Sequence, residues 1–406
     1  MPNKDREIIR SLAKKLLELA HTEENENKRK RWYKHNALEK GMPMILCSPE
    51  GAWTEILTEK DLQCEEKWTR DIEHDLKVCL YAAEVLKDDG VIDPYWYVNY
   101  GVGHDGFGVQ VKHHTGENRG SFTWDPPITD IARDFELLHK RNWTVNRDWT
   151  KERDEKLDGL FGDILPVKYC GQYWWTLGLT QDVIYLIGLE QFMLYMYDCP
   201  DELHKLMAFM RDDCMNMLDF IEKEGVVLPN NYANGIASGG VGLCHELDCS
   251  DNPYPMNKTW GFSESQETVG VSPEMFGEFI FPYQTEILER FGLNCYGCCE
   301  AVHSRWDYLK KIPNLRRMSV SPWCDQNKMA EYLGKNVIFS RKPNPTQVCA
   351  SFDEDEIRQD LRTTLTAAKD NVLEIILKDT HTVQNKPQRL ARWVEIAKEE
   401  TEKMYR

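Results

Sequence analysis

The chain has 406 residues and a formal net charge of −17, and this length allows one large α/β barrel or two smaller domains. Apolar residues make up 41% of the sequence and aromatic residues 11%, which excludes a disordered chain. The acidic balance argues against nucleic acid and anionic membranes as partners, because both reward clustered lysine and arginine.

The cysteines and the N-terminus indicate a cytoplasmic protein. The 13 cysteines are an odd number spread from Cys47 to Cys349, which is typical of free thiols in a reducing compartment. The N-terminus opens into an amphipathic helical pattern without an apolar signal region, and no run of about 18 apolar residues could span a bilayer. We therefore expect cytoplasmic localisation. The sequence does not fix the oligomeric state, and a homodimer stays open.

The first 90 residues predict a mostly helical N-terminal extension. Apolar residues recur with helical spacing over 5–20 and over 65–87, and Asp89-Gly90 ends the second pattern. A predicted strand over 92–98 follows and leads into a glycine-rich loop that contains His104. The loop lacks the spacing of a dinucleotide fingerprint and no helix follows it, so we interpret it as a flexible loop with His104 as a candidate substrate contact.

The middle of the chain divides into a helical part and a long loop. Residues 171–224 carry Met, Trp and Tyr side chains with helical spacing, which we interpret as core. Residues 230–267 look like a loop that includes His245 and the segment from Trp260 to Glu267. Loops of this length inside a compact domain tend to be functional.

The last third alternates short strands with helices, which is typical of parallel βα units. The predicted strands cover 293–296, 317–320, 336–339 and 372–377, and the predicted helices cover 302–311, 325–333, 354–368 and 387–403. Because no glycine-rich phosphate loop follows these strands, a (β/α)8 TIM barrel is favoured over a doubly wound dinucleotide fold. We expect a single domain of 406 residues, with the extension over 1–90 and a barrel with long active-site loops over 91–406.

Side chains that carry chemistry follow the predicted strands. Cys298, Cys299 and Glu300 end the first strand of this third, and His381 follows the last. In a barrel these strand ends meet at one face, and Cys, Glu and His are zinc ligands, so their convergence predicts a metal site. The alternative is that the Cys-Cys pair only packs in the core.

The C-terminal third resembles the uroporphyrinogen decarboxylase superfamily, particularly its zinc-dependent corrinoid methyltransferase branch. That family carries a His-x-Cys-Gly strand end, a Gly-Asn-x-x-Pro strand end and a last strand that ends in Gly-Cys. An ungapped match through Met318-Ser-Val-Ser321 places Cys298 and Glu300 on the His-x-Cys pair. Lys342-Pro-Asn-Pro345 stands near the Asn-x-x-Pro element, and His381 stands in place of the last Cys.

The resemblance implies a zinc ion held by Cys298, Glu300 and His381, with Cys299 as the alternative to Cys298. It further implies that a small methylated donor, such as an aryl methyl ether, gives its methyl group to the cobalt of a corrinoid (cobalamin) on a separate protein. Glu300, if it is not a ligand, would protonate the departing oxygen, and Glu264 is a further catalytic candidate. The candidate substrate contacts form an aromatic and polar set: Trp260, Phe262, Gln266, Tyr296, Trp323, Lys342, His104 and His245.

Four alternatives stay open. One is transfer of a methyl group from methyl-corrinoid to a thiol of the coenzyme M type, and another is a non-catalytic barrel with a structural zinc. A third is a decarboxylase of the uroporphyrinogen type, which would need several convergent arginines where this N-terminus offers only the run 28–31. The fourth is a zinc-free hydrolase or lyase with Glu264 and Glu300 as acid and base.

Overall fold

The computed structural model describes residues 2–115 and 122–405. Its α-helices are Asn3–Ala20, Glu23–Asn36, Trp53–Ile56, Lys67–Tyr81, Ile131–Asp134, Arg147–Leu157, Thr180–Ile187, Leu189–Asp198, Pro200–Lys223, Pro273–Phe279, Phe281–Leu288, Trp306–Leu309, Gln326–Leu333, Thr346–Cys349, Glu354–Ala367 and Gln388–Tyr405. Among these residues, no helix combines the length and the apolar character that crossing a membrane requires.

A parallel sheet forms the centre of the molecule. Its strands and a neighbouring parallel pair are named here β1 Met44–Cys47, β2 Trp96–Val98, β3 Val167–Tyr169, β4 Trp260–Ser263, β5 Leu293–Tyr296, β6 Leu315–Val320, β7 Ile338–Arg341 and β8 Leu373–Leu377. Six of them form one sheet in the order β1-β8-β7-β6-β5-β4. The pairing of β1 with β8 joins the first strand to the last, as barrel closure does.

The predicted (β/α)8 barrel is confirmed only in its coarser features, an α/β fold with a parallel central sheet. β2 and β3 pair with each other as a separate two-stranded sheet. Within the part of the chain that the structure describes, no strand pairing joins this pair to the six-stranded sheet, so a closed barrel is not shown. We therefore call the fold TIM-like.

The segment 1–90 is largely helical but also supplies β1, so the central sheet begins inside the predicted extension. All four residues of β1 are buried. A strand this short and continuously apolar gives no periodicity, which is why the sequence pattern did not reveal it. The other predicted helices and strands of the last third are observed with boundaries shifted by up to two residues, apart from 302–311, which divides into a 3₁₀ turn and the helix Trp306–Leu309.

A small hairpin packs against the inner side chains of the sheet. Its strands are Gly235–Ile236 and Gly240–Val241, inside the segment that the sequence predicted as loop. Ile236 clusters with Trp260 and Phe262 of β4, and the Trp260 Nε1 donates a hydrogen bond to the Gly242 carbonyl at 2.9 Å. The hairpin therefore fills space that would otherwise lie open beneath the strand ends.

Candidate functional site

The carboxyl ends of β4 and β5 bring two buried acids and two thiols to one edge of the sheet. Ser263 of β4 pairs in register with Tyr296 of β5, so the residues that follow each strand are neighbours. The Gly297 N–H donates to the Ser263 carbonyl at 3.0 Å and continues this pairing past the strand ends. Glu264 follows β4 at this edge, and the cysteine pair follows β5.

Glu264 is fully buried beside two other acidic side chains, an environment that favours the protonated form of its carboxyl group. Burial and the nearby Glu267 and Glu300 carboxylates raise its pKa to about 9. Its Oε2 accepts a hydrogen bond from the Gln266 N–H at 2.8 Å, whereas its Oε1 has no partner among the described residues. A buried protonated carboxyl with an unpartnered oxygen is suited to donate a proton to a bound molecule.

Cys298 lies among hydrogen-bond donors and a cation. Its Sγ is 3.7 Å from the Cys299 Sγ, 3.5 Å from the Ser238 Oγ and 3.9 Å from the Lys378 Nζ. The Cys299 thiol, the Lys378 ammonium group and the Ser238 hydroxyl together lower the Cys298 pKa to about 7, against the opposing effect of burial. Cys298 therefore supplies a thiolate to this edge of the sheet near neutral pH.

Glu300 holds the β4 and β5 loops together. Its Oε1 accepts a hydrogen bond from the Ser265 N–H at 3.0 Å, and its Oε2 accepts one from the Cys298 N–H at 2.8 Å. The side chain is buried. Both oxygens thus satisfy backbone donors that would otherwise be buried without partners, which gives Glu300 a structural role.

The residues present do not fit the predicted three-ligand zinc site. His381 is exposed and lies against Gly51. Lys378 and Asp379, which directly follow β8, are the residues that contact the cysteine pair. Over residues 2–115 and 122–405, no group of three or more His, Cys, Asp or Glu side chains is placed to hold a metal ion. Zinc stays a prediction from the resemblance, and no reaction step below passes through it.

The predicted aromatic contacts divide into buried and exposed side chains. Trp260 and Phe262 are buried against the hairpin. Tyr296 is also buried, and its hydroxyl lies 2.9 Å from the Gln284 Oε1 and 3.0 Å from the Ser265 Oγ. Trp323 is 68% exposed beyond β6. Three of the four rings therefore serve packing in this structure.

The predicted polar contacts are scattered. Gln266 offers its backbone N–H to Glu264, and the buried Lys342 donates to the Ser340 Oγ at 2.5 Å, with its pKa lowered to about 8 by burial. His245 stacks on Tyr33 with 3.8 Å between ring centroids, away from the strand ends. Only Gln266 and Lys342 of this set follow the ends of sheet strands.

A cavity of about 470 Å³, which sequence reasoning missed, lies beyond the ends of β2 and β3. Its lining includes His104, Arg141, Trp143, Gln172, Tyr173, Trp174, Trp175, Leu177 and Asp182. Residues 171–179 are not helical, contrary to the prediction of a helix over 171–224. The run Tyr173-Trp174-Trp175 was the available signal, because three consecutive aromatic rings cannot share one helix face.

The cavity wall is attached to β4 beside Glu264. The Leu177 N–H donates to the Phe262 carbonyl at 3.0 Å, and the Trp175 and Phe262 rings meet edge-on at 6.1 Å. Gly178 lies so close that an added Cβ would be 3.0 Å from the Glu264 Oε1. The cavity and the Glu264 carboxyl are therefore parts of one region of the molecule.

Comparison with known proteins shows a fold likeness. No protein-family model and no curated protein matches the sequence. The structure is similar to that of a methyltransferase from Methanosarcina mazei, with a TM-score of 0.52, and the match covers 92% of this chain and 98% of that chain. Because the two sequences are 11% identical, this similarity shows the fold alone.

Proposed function

We propose that this chain is a methyltransferase that takes a methyl group from a small methoxyaromatic donor and gives it to the cobalt of a corrinoid on a separate protein. The fold it shares with a protein named a methyltransferase supports methyl transfer in general. The donor and the corrinoid acceptor rest on the resemblance of the C-terminal strand ends to the corrinoid methyltransferase branch. The chemistry at Glu264 supports the choice of an oxygen-bound methyl group.

The buried Glu264 carboxyl group, whose Oε1 has no partner among the described residues, is the observation that carries this proposal. A methyl ether reacts slowly because the oxygen departs as an anion, and a proton delivered to that oxygen lowers the barrier. Burial beside Glu267 and Glu300 keeps the proton on Glu264 at pH 7, since its pKa is about 9. The unpartnered Oε1 is free to hydrogen-bond to the ether oxygen.

In the proposed step, the reduced corrinoid is the co-substrate whose nucleophilic cobalt accepts the methyl group. The bond between the methyl carbon and the ether oxygen breaks, its electron pair stays on oxygen, and Glu264 gives its proton to that oxygen to release a phenol. Glu264 then regains a proton from solvent, which its raised pKa favours.

Two of the alternatives are less well supported by the geometry. Glu300 is not suited to work as the second member of an acid–base pair, because both of its oxygens accept backbone N–H groups. The predicted arginines of the decarboxylase alternative are engaged elsewhere: Arg29 pairs with Asp93 and Arg31 with Asp89, and both acids precede β2 rather than follow it. The alternative of methyl transfer to a thiol can be distinguished by its product, because it forms a methylated thiol whereas the proposed reaction releases a phenol.

The test uses 2-methoxyphenol as donor and chemically reduced free cobalamin as acceptor. We expect the wild-type protein to form catechol and methylcobalamin in equal amounts, measured by chromatography and by absorbance. Glu264→Gln should slow both by about 100-fold or more, as loss of a general acid does, whereas Glu274→Gln at an exposed site should not. The absence of both products with wild type, or equal rates for wild type and Glu264→Gln, would contradict the proposal.

A further inference from the structure

We propose that the cavity beyond β2 and β3 binds the ring of an uncharged methoxyphenol and excludes methoxybenzoates, with the Asp182 carboxylate accepting the phenol hydroxyl. This inference rests on the proposed function in that it names the class of donor. Binding itself can be measured without turnover, so the two proposals can fail separately. The cavity volume of about 470 Å³ lies within the range of about 300–1,000 Å³ found for small-molecule sites.

The walls of the cavity suit an aromatic ring. Tyr173, Trp174 and Trp175 follow one another along one wall, and Trp143 lies on the lining as well. Trp175 is 45% exposed, so its ring has surface left to cover. Stacking on such rings adds attraction for an aromatic ligand beyond the burial of apolar area.

The charges of the cavity disfavour an anionic ligand. Among the described residues that line it, Arg141 carries the only permanent positive charge. Its backbone N–H and its Nε both donate to the buried Asp213 at 2.6 Å, and its Nη1 is 4.0 Å from Asp182. The Arg141 guanidinium group is thus already paired with Asp213 and has Asp182 nearby, so little positive charge is left to attract a ligand carboxylate.

Asp182 and His104 supply complementary hydrogen-bonding groups for a methoxyphenol. The Asp182 side chain is 45% exposed, and its Oδ2 is 4.0 Å from the Arg141 Nη1, beyond hydrogen-bond distance, so the carboxyl group is available to a ligand hydroxyl. The His104 Nδ1 accepts a hydrogen bond from the Gly106 N–H at 3.1 Å, which places the proton of the neutral ring on Nε2. That N–H can donate to a second ligand oxygen.

The cavity wall adjoins the strand that carries Glu264. Its wall from Trp175 to Leu177 is hydrogen-bonded to β4, and Gly178 adjoins the Glu264 Oε1. A ring held against Trp175 would therefore lie next to the strand that carries the proposed proton donor. Trp149, by contrast, is a 47% exposed ring outside the cavity lining and serves as a matched control.

The test is calorimetric titration of the full chain, without corrinoid, with 2-methoxyphenol and with 4-hydroxy-3-methoxybenzoate. We expect the phenol to bind at least tenfold more tightly than the benzoate. Trp175→Ala and Asp182→Asn should each weaken phenol binding by about tenfold, the effect of losing one stacking partner or one charged hydrogen bond. Asp182→Asn should also reduce the difference between the phenol and benzoate affinities, and Trp149→Ala should leave both affinities unchanged.

Equal affinities for the two ligands, no phenol binding by the wild type, or loss of binding in Trp149→Ala but not in Trp175→Ala would overturn this inference. Circular dichroism confirms that each variant is folded, and the isosteric Asp182→Asn keeps the test valid if Trp175→Ala does not fold. If the phenol binds as expected but no methyl group is transferred, the proposed function fails and the cavity assignment stands. If methyl transfer occurs while Trp175→Ala and Asp182→Asn leave binding unchanged, the cavity assignment fails.

Discussion

The Lys378 Nζ lies 3.9 Å from the Cys298 Sγ, so an ammonium group from the end of β8 meets a thiol from the end of β5. The same Lys378 donates to the Asp379 carboxylate at 2.7 Å, and the Asp379 Oδ2 is 3.8 Å from the Cys299 Sγ. A positive charge thus already lies beside the thiol that the resemblance assigns to zinc. This arrangement favours the thiolate of Cys298 over its thiol.

Cys298 and Cys295 are both buried, but the pKa of Cys298 is lowered and that of Cys295 is raised, so Cys298 should react with iodoacetamide faster at pH 7. We expect the rate to increase with a midpoint near pH 7, and Lys378→Met to move that midpoint upward. Lys310→Met, at an exposed pair with Asp307, is the control. Mass spectrometry of peptides from pulse-labelled protein measures both rates. If the pH dependence of the Cys298 labelling rate is the same in Lys378→Met as in wild type, the role assigned to this ammonium group is contradicted.

The raised pKa of Glu264 links folding stability to pH. Its carboxyl has a pKa of about 9 in the folded chain and an ordinary value of 4.5. Between these limits the unfolded chain has lost the proton and the folded chain keeps it, so unfolding becomes more favourable as pH rises. The contribution is fully present below pH 4.5 and is lost as pH rises towards 9.

We therefore expect the free energy of unfolding of wild type to fall relative to Glu264→Gln by up to about 1.4 kcal/mol per pH unit over this window. Urea unfolding of both proteins at several pH values measures the difference. A difference that does not change with pH would show that Glu264 is ionised in the folded chain.

Glu300 and His381, two of the predicted zinc ligands, should differ sharply in their effect on stability. Glu300→Ala leaves the Ser265 and Cys298 N–H groups without acceptors and should cost about 2–5 kcal/mol of unfolding free energy. His381→Ala at an exposed site should change stability by less than about 0.5 kcal/mol. Denaturant titration measures both, and elemental analysis shows whether His381→Ala retains whatever metal the wild type carries. A metal that is lost with His381 would restore the predicted ligand set.

The buried Glu374 should be required for folding stability. Its Oε1 lies 2.9 Å from the Arg317 Nε, and its Oε2 lies 3.0 Å from the His35 Nε2. Burial opposes the ionisation of Glu374, but these neighbours hold its pKa well below the usual range. Glu374→Gln leaves Arg317 uncompensated and should cost about 3–5 kcal/mol.

The neighbouring pair of Arg316 with the half-exposed Glu246 provides the control for Glu374. Glu246→Gln should cost less than about 1 kcal/mol. Thermal unfolding of the two variants makes the comparison. Equal losses of stability would show that burial does not decide the strength of these pairs.

The last third of the chain could be predicted from sequence because its strands and helices have strong local signals. β5 to β8 are short apolar runs between amphipathic helices, and their order along the chain fixes a parallel sheet. β1 was not recognised, since four apolar residues match a buried strand and a buried helix equally well. Its pairing with β8 spans the whole chain and has no local signature.

The sequence predicted that Cys298 and Glu300 follow the end of one strand, and in the structure they follow β5. Glu264 was a catalytic candidate inside a segment that was interpreted as a loop, and in the structure it follows β4, the strand beside β5. Strand-end reasoning could not show that the two Glu300 oxygens accept backbone N–H groups, because this depends on how two loops meet in space. The resemblance pointed to His381 as the residue that meets the cysteine pair, but Lys378, three residues earlier, takes that place. Between the two, the chain turns at Asp379, which has a positive φ.

The most direct test of proton donation by Glu264 compares leaving groups. Single-turnover demethylation with reduced cobalamin is measured for 2-methoxyphenol and for 4-nitroanisole, whose nitrophenolate departs without needing a proton. If Glu264 protonates the leaving oxygen, Glu264→Gln should slow 2-methoxyphenol by about 100-fold or more and 4-nitroanisole by much less. An equal loss of rate for both donors, or none for either, would contradict the account.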